Sequence, residues 1–557
     1  MTSLCAALVL ATLPGAAGAS PIRLSDLDLS TMTSGWHAGR RNRNNGGGEL
    51  VVGTTRFADG VGTAAPSRYE VEIRGEARCF RAKVGVDAAY RRGKADFVVR
   101  TNGVEALHTP PLAAGDPPRA VEVPLAGVRR VELAVRSGGD SPIDDLGNWC
   151  EAVFEVAPGT AVVPVDPTAA MRDDRALISQ QPVLSLAEDG VRKLKWMTSE
   201  PATGRAEWSQ DGGRTWTGAW DSRDGSRDAH ERIHEATLSG VDPSRPLAYR
   251  VLSRGFVREE PYDIVLKPEE ARAEGAAAPL VGSGGAVGFV LFSDVHRNLD
   301  VYEKLVPLVR APVSFAAFAG DVISWVEDEE DVRRNLLSPL AWVSRRLGCP
   351  VRYVRGNHEL RGRFARHLRD YLPLQDGRYY GAVTAGAARF VFLDTGESEN
   401  GDTAKNAGLN DTTAYLLAER DWLARETASP AWREAKARIV IGHAPTGPTT
   451  RRAVDGTLAA ADPVGVRGLD AIEAVLAKAD VTCFFAGHYH TRGFFEPIPE
   501  RPYPLAMNGG DCLEDERESG VPVLLRCDIS ADGGLSVTWT DRWGNERLRR
   551  EVKARGR

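Results

Sequence analysis

Residues 288–296 read GFVLFSDVH, an apolar run that stops at a carboxylate, Asp294, with an imidazole, His296, two positions on. The construction recurs four times downstream. SFAAFAGD ends at Asp321, VRYVRGNHE carries Asn357, His358 and Glu359, ARIVIGH ends at His443, and VTCFFAGHYH carries His488 and His490. Between these runs lie LDVYEKLVPLVR, EEDVRRNLLSPLAWVSRRLG, TAYLLAERDWLARE and LDAIEAVLAKAD, with apolar residues at helical spacing. The alternation predicts an α/β/α sandwich over 287–545. Five strand ends would then deliver their polar groups into the crevice beyond the sheet, where such folds build sites.

Ten histidines occur in the chain, and five fall inside these motifs. The grouped donors are nitrogen and oxygen with no thiolate, which suits Mn, Fe or Zn better than a structural zinc knot. Two divalent cations against the carboxylates of Asp294 and Asp321 would leave a positive centre that attracts a phosphate ester. Metals of this kind acidify bound water and clamp the oxygens of an in-line displacement. Arg297 and Arg361, next to these motifs, are candidate phosphate clamps. Glu359 is placed to orient a ligand imidazole. Trp325, four past Asp321, is a candidate for the pocket rim.

The chain has 557 residues, too many for one core, and 42% hydrophobic with 26% charged residues is ordinary for globular protein. A net charge of −6 argues against a nucleic-acid scaffold. MTSLCAALVLATLPGAAGAS has an apolar stretch and small residues at Ala17 and Ala19, so residues 1–19 read as a secretory signal. No later apolar run reaches the roughly 18 residues a membrane span needs. The expected location is secreted or periplasmic. Six cysteines remain after Cys5, and Cys79–Cys150 and Cys512–Cys527 are the disulfide pairs to test. Cys349 and Cys483, flanked by apolar sequence, read as buried thiols.

Residues 22–157 alternate short strand-like runs with Gly, Asp and Pro turns, predicting an all-β sandwich. The stretches LSDLDL, GWHAGRRNRNNGGGELVVGTTRFADGVGTAAPSRYEVEI, FRAKVGVD and DDLGNWCEAVFE resemble the NPCBM family. That resemblance implies a carbohydrate-binding jelly roll attached to a secreted enzyme, with a polysaccharide or cell-wall glycan as partner. Trp36 and Trp149 are the aromatic candidates for a sugar platform, and Arg40–Asn45 reads as a solvated loop. A linker is expected at 158–175. Residues 176–267 then resemble the fibronectin type III-like domain of purple acid phosphatases, with Trp196, Leu238 and Tyr249 in core places. A second linker is expected at 268–286.

The ordered blocks D-x-H, G-D, G-N-H-E, G-H and G-H-x-H resemble the calcineurin-like metallophosphoesterases. The resemblance implies two metal ions, Fe, Mn or Zn, in a hydrolase acting on phosphate mono- or diesters. Carried over by motif, Asp294, His296 and His490 hold the first metal and Asn357, His443 and His488 the second, with Asp321 bridging. His358 matches the residue that protonates the leaving group or steadies the phosphoryl oxygens. Purple acid phosphatases have glycine in the first block and a tyrosine ligand three residues after the G-D aspartate. This chain has His296 and Ser324 there, so no purple colour is expected. The alternative is a glycan-binding adhesion protein with a vestigial or structural metal site.

Overall fold

The computed structural model describes residues 20–138, 144–166, 177–220, 222–223, 225–227, 229–396, 407–447, 449–452, 458–461, 468–490, 492–508 and 523–554. Residues 1–19, read above as a secretory signal, and Cys512 lie outside the described residues, as do residues 167–175 of the expected 158–175 linker; the first half of that linker is instead structured, Ala161–Pro164 pairing as a strand with Ser67–Arg74. The chain divides into two compact units, Met1–Asp166 and Pro167–Arg557.

The first unit is a β-sandwich of two antiparallel six-stranded sheets. Ser67–Arg74 shows why. Tyr69, Val71 and Ile73 are buried while Arg68, Glu70 and Glu72 are less so, the alternation of a strand with one covered face. Trp149 is 1% exposed and meets Phe97 edge-on at 5.1 Å and Phe80 at 5.9 Å. It is a core residue and offers no platform to a sugar. The Cys79–Cys150 pairing is also excluded. The two strands are neighbours, but Cys79 stands opposite Glu155 and Cys150 opposite Lys83. That offset of four positions is about 13 Å along the ladder, beyond the roughly 7 Å a disulfide spans between Cα atoms.

The second unit begins with a β module whose core holds Leu184, Leu194, Trp196, Leu238, Tyr249 and Val251. One layer is Thr217–Trp220, Arg205–Ser209, Leu247–Ser253 and Ala271–Ala277. The last of these falls in the segment expected as a linker, 268–286. Its seven residues pair with Leu247–Ser253 throughout, and Ala273 and Ala277 turn inward. Small residues at inward positions disguise it as a linker. The module's other layer, Glu231–Ser239, Val191–Ala202 and Gln180–Glu188, has no outer edge on the last strand. Ser185 pairs in parallel with Val351, so these strands join the sheet of the following α/β part and bring it to nine.

That sheet continues through Val351–Val354, Phe315–Ala319, Val287–Phe292, Val523–Ile529, Leu535–Asp541 and Glu546–Val552. A second, six-stranded sheet is ordered Gly381–Ala385, Ala388–Phe392, Ala437–Ile441, Cys483–Ala486, Leu505–Asn508 and Arg492–Phe495. Phe289, Phe315, Phe390 and Phe485 interlock between them. Helices Asp300–Leu305 and Ser338–Leu347 contribute to the core on one outer face, Thr412–Thr427 and Leu469–Leu476 to that on the other. The helix-flanked sandwich expected from sequence therefore holds two β layers. All six residues of Val287–Phe292 are buried, which explains its unbroken apolar run.

Candidate metal centre

The chain turns sharply as it leaves three of the five ligand-bearing strands, Val287–Phe292, Phe315–Ala319 and Cys483–Ala486. Asp294, His296, Asp321, His488 and His490 all adopt left-handed backbone, with φ of 56°, 47°, 51°, 71° and 48°. Residues other than glycine rarely adopt it, and it persists only where the surroundings enforce it. Here the enforcing bonds run between the turns. The N–H of Asp294 donates to Gly320 O at 3.1 Å and that of His296 to Asp321 O at 2.9 Å. His488 N–H donates to the Asp294 carboxylate at 3.0 Å, and His358 N–H to Asp321 Oδ1 at 3.0 Å. Gly320 (φ 81°) could carry no side chain, since a Cβ would lie 2.6 Å from Gly356 Cα and from His443 Nδ1.

These turns bring the predicted donors together. His296 Nε2 lies 3.1 Å from His490 Nε2, and His490 Nε2 lies 3.5 Å from Asp294 Oδ1. On the other side His443 Nε2 lies 3.2 Å from Asn357 Oδ1 and 3.3 Å from His488 Nδ1. Asp321 Oδ2 faces both groups, 3.7 Å from His296 Nε2 and 3.3 Å from His443 Nε2. Asp294, Asp321 and His443 are fully or almost fully buried, while the His490 side chain is 31% exposed and opens the cluster to solvent. The Asn357 amide stands among His443, His488 and Asp321 and meets Arg361 Nη2 at its outer edge. With nitrogen inward it donates to those neighbours; with oxygen inward it is a cation ligand.

The donor set suits cations. Burial holds His296 well below the ordinary histidine range, and takes His358 down to about 4 and His488 to about 3. Their lone pairs are thus available. Burial alone would push Asp321 up, but His443, His358 and His296 hold it well below the usual carboxylate range. Burial also opposes charge on His443, yet Asp321 and Asp294 bring it up to about 10. A proton there does part of what a cation would do. His443 Nδ1 donates to Ala319 O at 2.7 Å, which leaves Nε2 facing the cluster. His358 Nδ1 likewise donates to Ser324 O at 2.9 Å, and its Nε2 meets Arg361 Nη1 at 2.8 Å.

Three residues act differently from the sequence reading. Arg297 is buried away from the donors. Its Nη2 donates to Asp331 at 2.7 Å and to Trp325 O at 2.8 Å, and its guanidinium stacks on the Trp325 ring at 3.8 Å. Glu359 touches no ligand imidazole. It is fully buried and accepts backbone N–H groups of Asp321, Val322 and Gly356. Burial, with Asp321 adjacent, pushes it up to about 7. Ser293, which sequence reasoning passed over, has its hydroxyl between the Asp294 carboxylate and Ala319 O, within hydrogen-bond reach of each. Its one sequence signal was its position beside Asp294.

In the first unit Trp36 is 41% exposed, with His37 at 4.4 Å and Tyr90 at 6.0 Å between ring centres. The loop beside it is not wholly solvated. Asn45, fully buried, binds both the N–H and the carbonyl of His37, and Asn44 donates to buried Asp87.

Comparison with known proteins agrees with the NPCBM and calcineurin-like resemblances. The calcineurin-like phosphoesterase pattern matches residues 288–492, and the NPCBM/NEW2 domain pattern matches residues 20–155. A Renibacterium salmoninarum protein described as "Putative endo-alpha-N-acetylgalactosaminidase" is 25% identical over 153 residues, 26% of this chain. The matched part is 10% of that relative's length. Among solved structures, a purple acid phosphatase from yellow lupin (Lupinus luteus) seeds aligns over 89% of this chain and 93% of its own, with TM-score 0.50 and 11% identity. PhoD aligns over 68% and 92%, with TM-score 0.43 and 11% identity. A CBM51 module from Clostridium perfringens aligns over 24% and 99%, with TM-score 0.23 and 22% identity.

Proposed function

We propose that this chain is an exported dinuclear metallophosphoesterase that hydrolyses phosphate mono- or diesters, held near glycans by its N-terminal module. The observation that carries the reading is the convergence of two nitrogen- and oxygen-donor groups on one carboxylate oxygen, Asp321 Oδ2. Asp294, His296 and His490 would hold one cation and Asn357, His443 and His488 the other, with Asp321 between them. The donor types suit Fe, Mn or Zn. Such ions, when bound, polarise phosphoryl oxygens and acidify water.

The protein's own groups do the rest. The Arg361 guanidinium stands at the cluster against His358 Nε2, where its N–H groups would meet the phosphoryl oxygens. The Ser324 carbonyl accepts from Nδ1 and fixes the His358 ring, so that Nε2 would face the leaving-group oxygen and give it a proton when the ring is in its imidazolium form. Glu359 holds the Asp321 turn in place from below. In the first unit Trp36, with His37 and Tyr90, is the aromatic surface for a sugar ring. Export rests on the 1–19 sequence pattern, and no helix among the described residues is long and apolar enough to cross a membrane.

Protein loaded in turn with Mn, Zn and Fe should hydrolyse p-nitrophenyl phosphate or its bis-ester. Asp321→Asn and His443→Ala should remove most turnover while circular dichroism stays unchanged. Glycan binding without turnover on a broad phosphate-ester panel would instead favour the adhesion reading.

A further inference from the structure

Residues 394–396, just past the strand Ala388–Phe392, supply none of the donors described above, yet they touch two ligand turns at once. The strand lies parallel to Ala437–Ile441 with Phe392 opposite Ile441, and Leu393 N–H donates to Ile441 O at 2.9 Å. Asp394, Thr395 and Gly396 therefore leave the sheet beside His443, at the crevice where the ligand turns meet.

Thr395 makes the contact to the His443 turn. It is fully buried, and its hydroxyl donates to Ala444 O, one residue past His443, at 2.7 Å. Glycine at 442 admits it, since a Cβ there would lie 2.8 Å from Thr395 Oγ1. Two contacts reach the Asn357 turn. Arg355, two residues before Asn357, meets Asp394 as a fork, Nη2 to Oδ2 at 2.7 Å and Nε to Oδ1 at 3.3 Å. The Tyr379 ring lies 4.2 Å from the Arg355 guanidinium carbon and supports that fork. Gly396 packs against Gly356, where a Cβ at 396 would come within 2.5 Å of the Gly356 carbonyl carbon. Buried Glu419, in the helix Thr412–Thr427, accepts the Asp394 N–H at 2.7 Å and holds the segment itself. Both Asp394 oxygens are taken by Arg355, so Asp394 acts on the ligand turns and not as a ligand.

We propose that Asp394, Thr395 and Gly396 form a positioning element that sets the distance between Asn357 and His443, and with it the affinity for the cation those two residues share with His488. The assignment rests on the dinuclear reading above. Glu359 ties the Asn357 turn to the Asp321 turn, and Ala319 O holds the His443 ring. The 394–396 segment ties the Asn357 and His443 turns to each other. A metal site needs its donors held within about 0.5 Å of place, so loosening this tie falls on one cation more than on the other.

The test is a zinc titration of the full chain, stripped of metal, against a chromophoric chelator. Thr395→Val keeps the side-chain shape and removes the hydroxyl, Thr395→Ser restores the hydroxyl, and Asp394→Asn weakens the fork. His488→Ala and His490→Ala identify which step of the titration belongs to which cation. Thr395→Val and Asp394→Asn should weaken the step that His488→Ala removes by about 10–100-fold. The step that His490→Ala removes should be unchanged, and Thr395→Ser should bind as the wild type does. Unchanged affinities in Thr395→Val and Asp394→Asn overturn the proposal. Equal weakening of both steps also overturns it, because a merely structural role would act on both cations alike. If Asp394→Asn fails to fold, the two Thr395 variants decide. A wild type that takes up fewer than two zinc ions sinks the dinuclear reading, and this assignment falls with it; two ions with unaltered variants sink the assignment alone.

Discussion

The Glu359 carboxylate accepts the backbone N–H of Asp321 at 3.0 Å, the next N–H, Val322, at 2.8 Å, and that of Gly356 at 2.9 Å. One buried side chain therefore fixes the turn that presents the central carboxylate and the turn that leads to Asn357. An amide at this position would offer one oxygen and press its NH₂ against donors. Glu359→Gln should lower metal affinity and kcat/KM by about 10–100-fold, as outer-shell losses do, with the fold retained. Chelator-competition titration and steady-state kinetics check this. Unchanged metal affinity in the variant would contradict it.

The two arginines once read as equivalent phosphate clamps should separate in experiment. Arg361 touches His358 Nε2 and reaches Asn357, so Arg361→Ala should cut kcat/KM by about 10²-fold with little change in melting. Arg297 is paired with Asp331 under the Trp325 ring. Removing it strands a largely buried carboxylate, so Arg297→Ala should cost about 3–5 kcal/mol of stability. KM of the surviving enzyme should stay near wild type. Denaturant melts and kinetics on both variants distinguish the roles, and a large KM effect in Arg297→Ala alone would reverse the assignment.

What the sequence made legible was residue type at strand ends. Asp294, Asp321, Asn357, His443 and His488 follow apolar runs because each strand is buried on both faces and must stop where a polar group begins. What it hid was direction. Arg297 follows a ligand immediately, but its left-handed backbone, φ 68°, belongs to a side chain that packs against Trp325 and Asp331. Trp149 and Trp36 are both aromatic in a sugar-module resemblance, and only packing separates core from surface. The strand Ala271–Ala277 reads as a linker because its inward residues are alanines, and the Ser185–Val351 junction has no local sequence signature at all.

The two tryptophans of the first unit make the same distinction measurable. Trp149 fills the space between Phe80 and Phe97, so Trp149→Ala should destabilise by about 3–5 kcal/mol. Trp36→Ala should change stability by no more than about 0.5 kcal/mol and, on the proposed glycan-binding reading, should abolish retention on polysaccharide. Melting curves and affinity electrophoresis test the pair. Equal stability loss in both variants would place Trp36 in the core instead.

His234 should govern part of the acid stability of the β module. Its ring is fully buried against Trp196, with Nε2 3.1 Å from Thr198 Oγ1. Burial, helped by Lys195, holds it down at about 4, against about 6.5 when unfolded. Below pH 6.5 the unfolded chain takes up a proton that the folded chain refuses until about pH 4. Stability from this group is therefore complete above pH 6.5 and is lost as pH falls, by about 2–3 kcal/mol near pH 4.5. His234→Gln removes the titration and keeps a partner for Thr198. Urea melts at pH 7.5 and 4.5 should show the variant losing about 2–3 kcal/mol less than the wild type over that interval. Identical losses would mean that the imidazole titrates alike in the folded and unfolded chains.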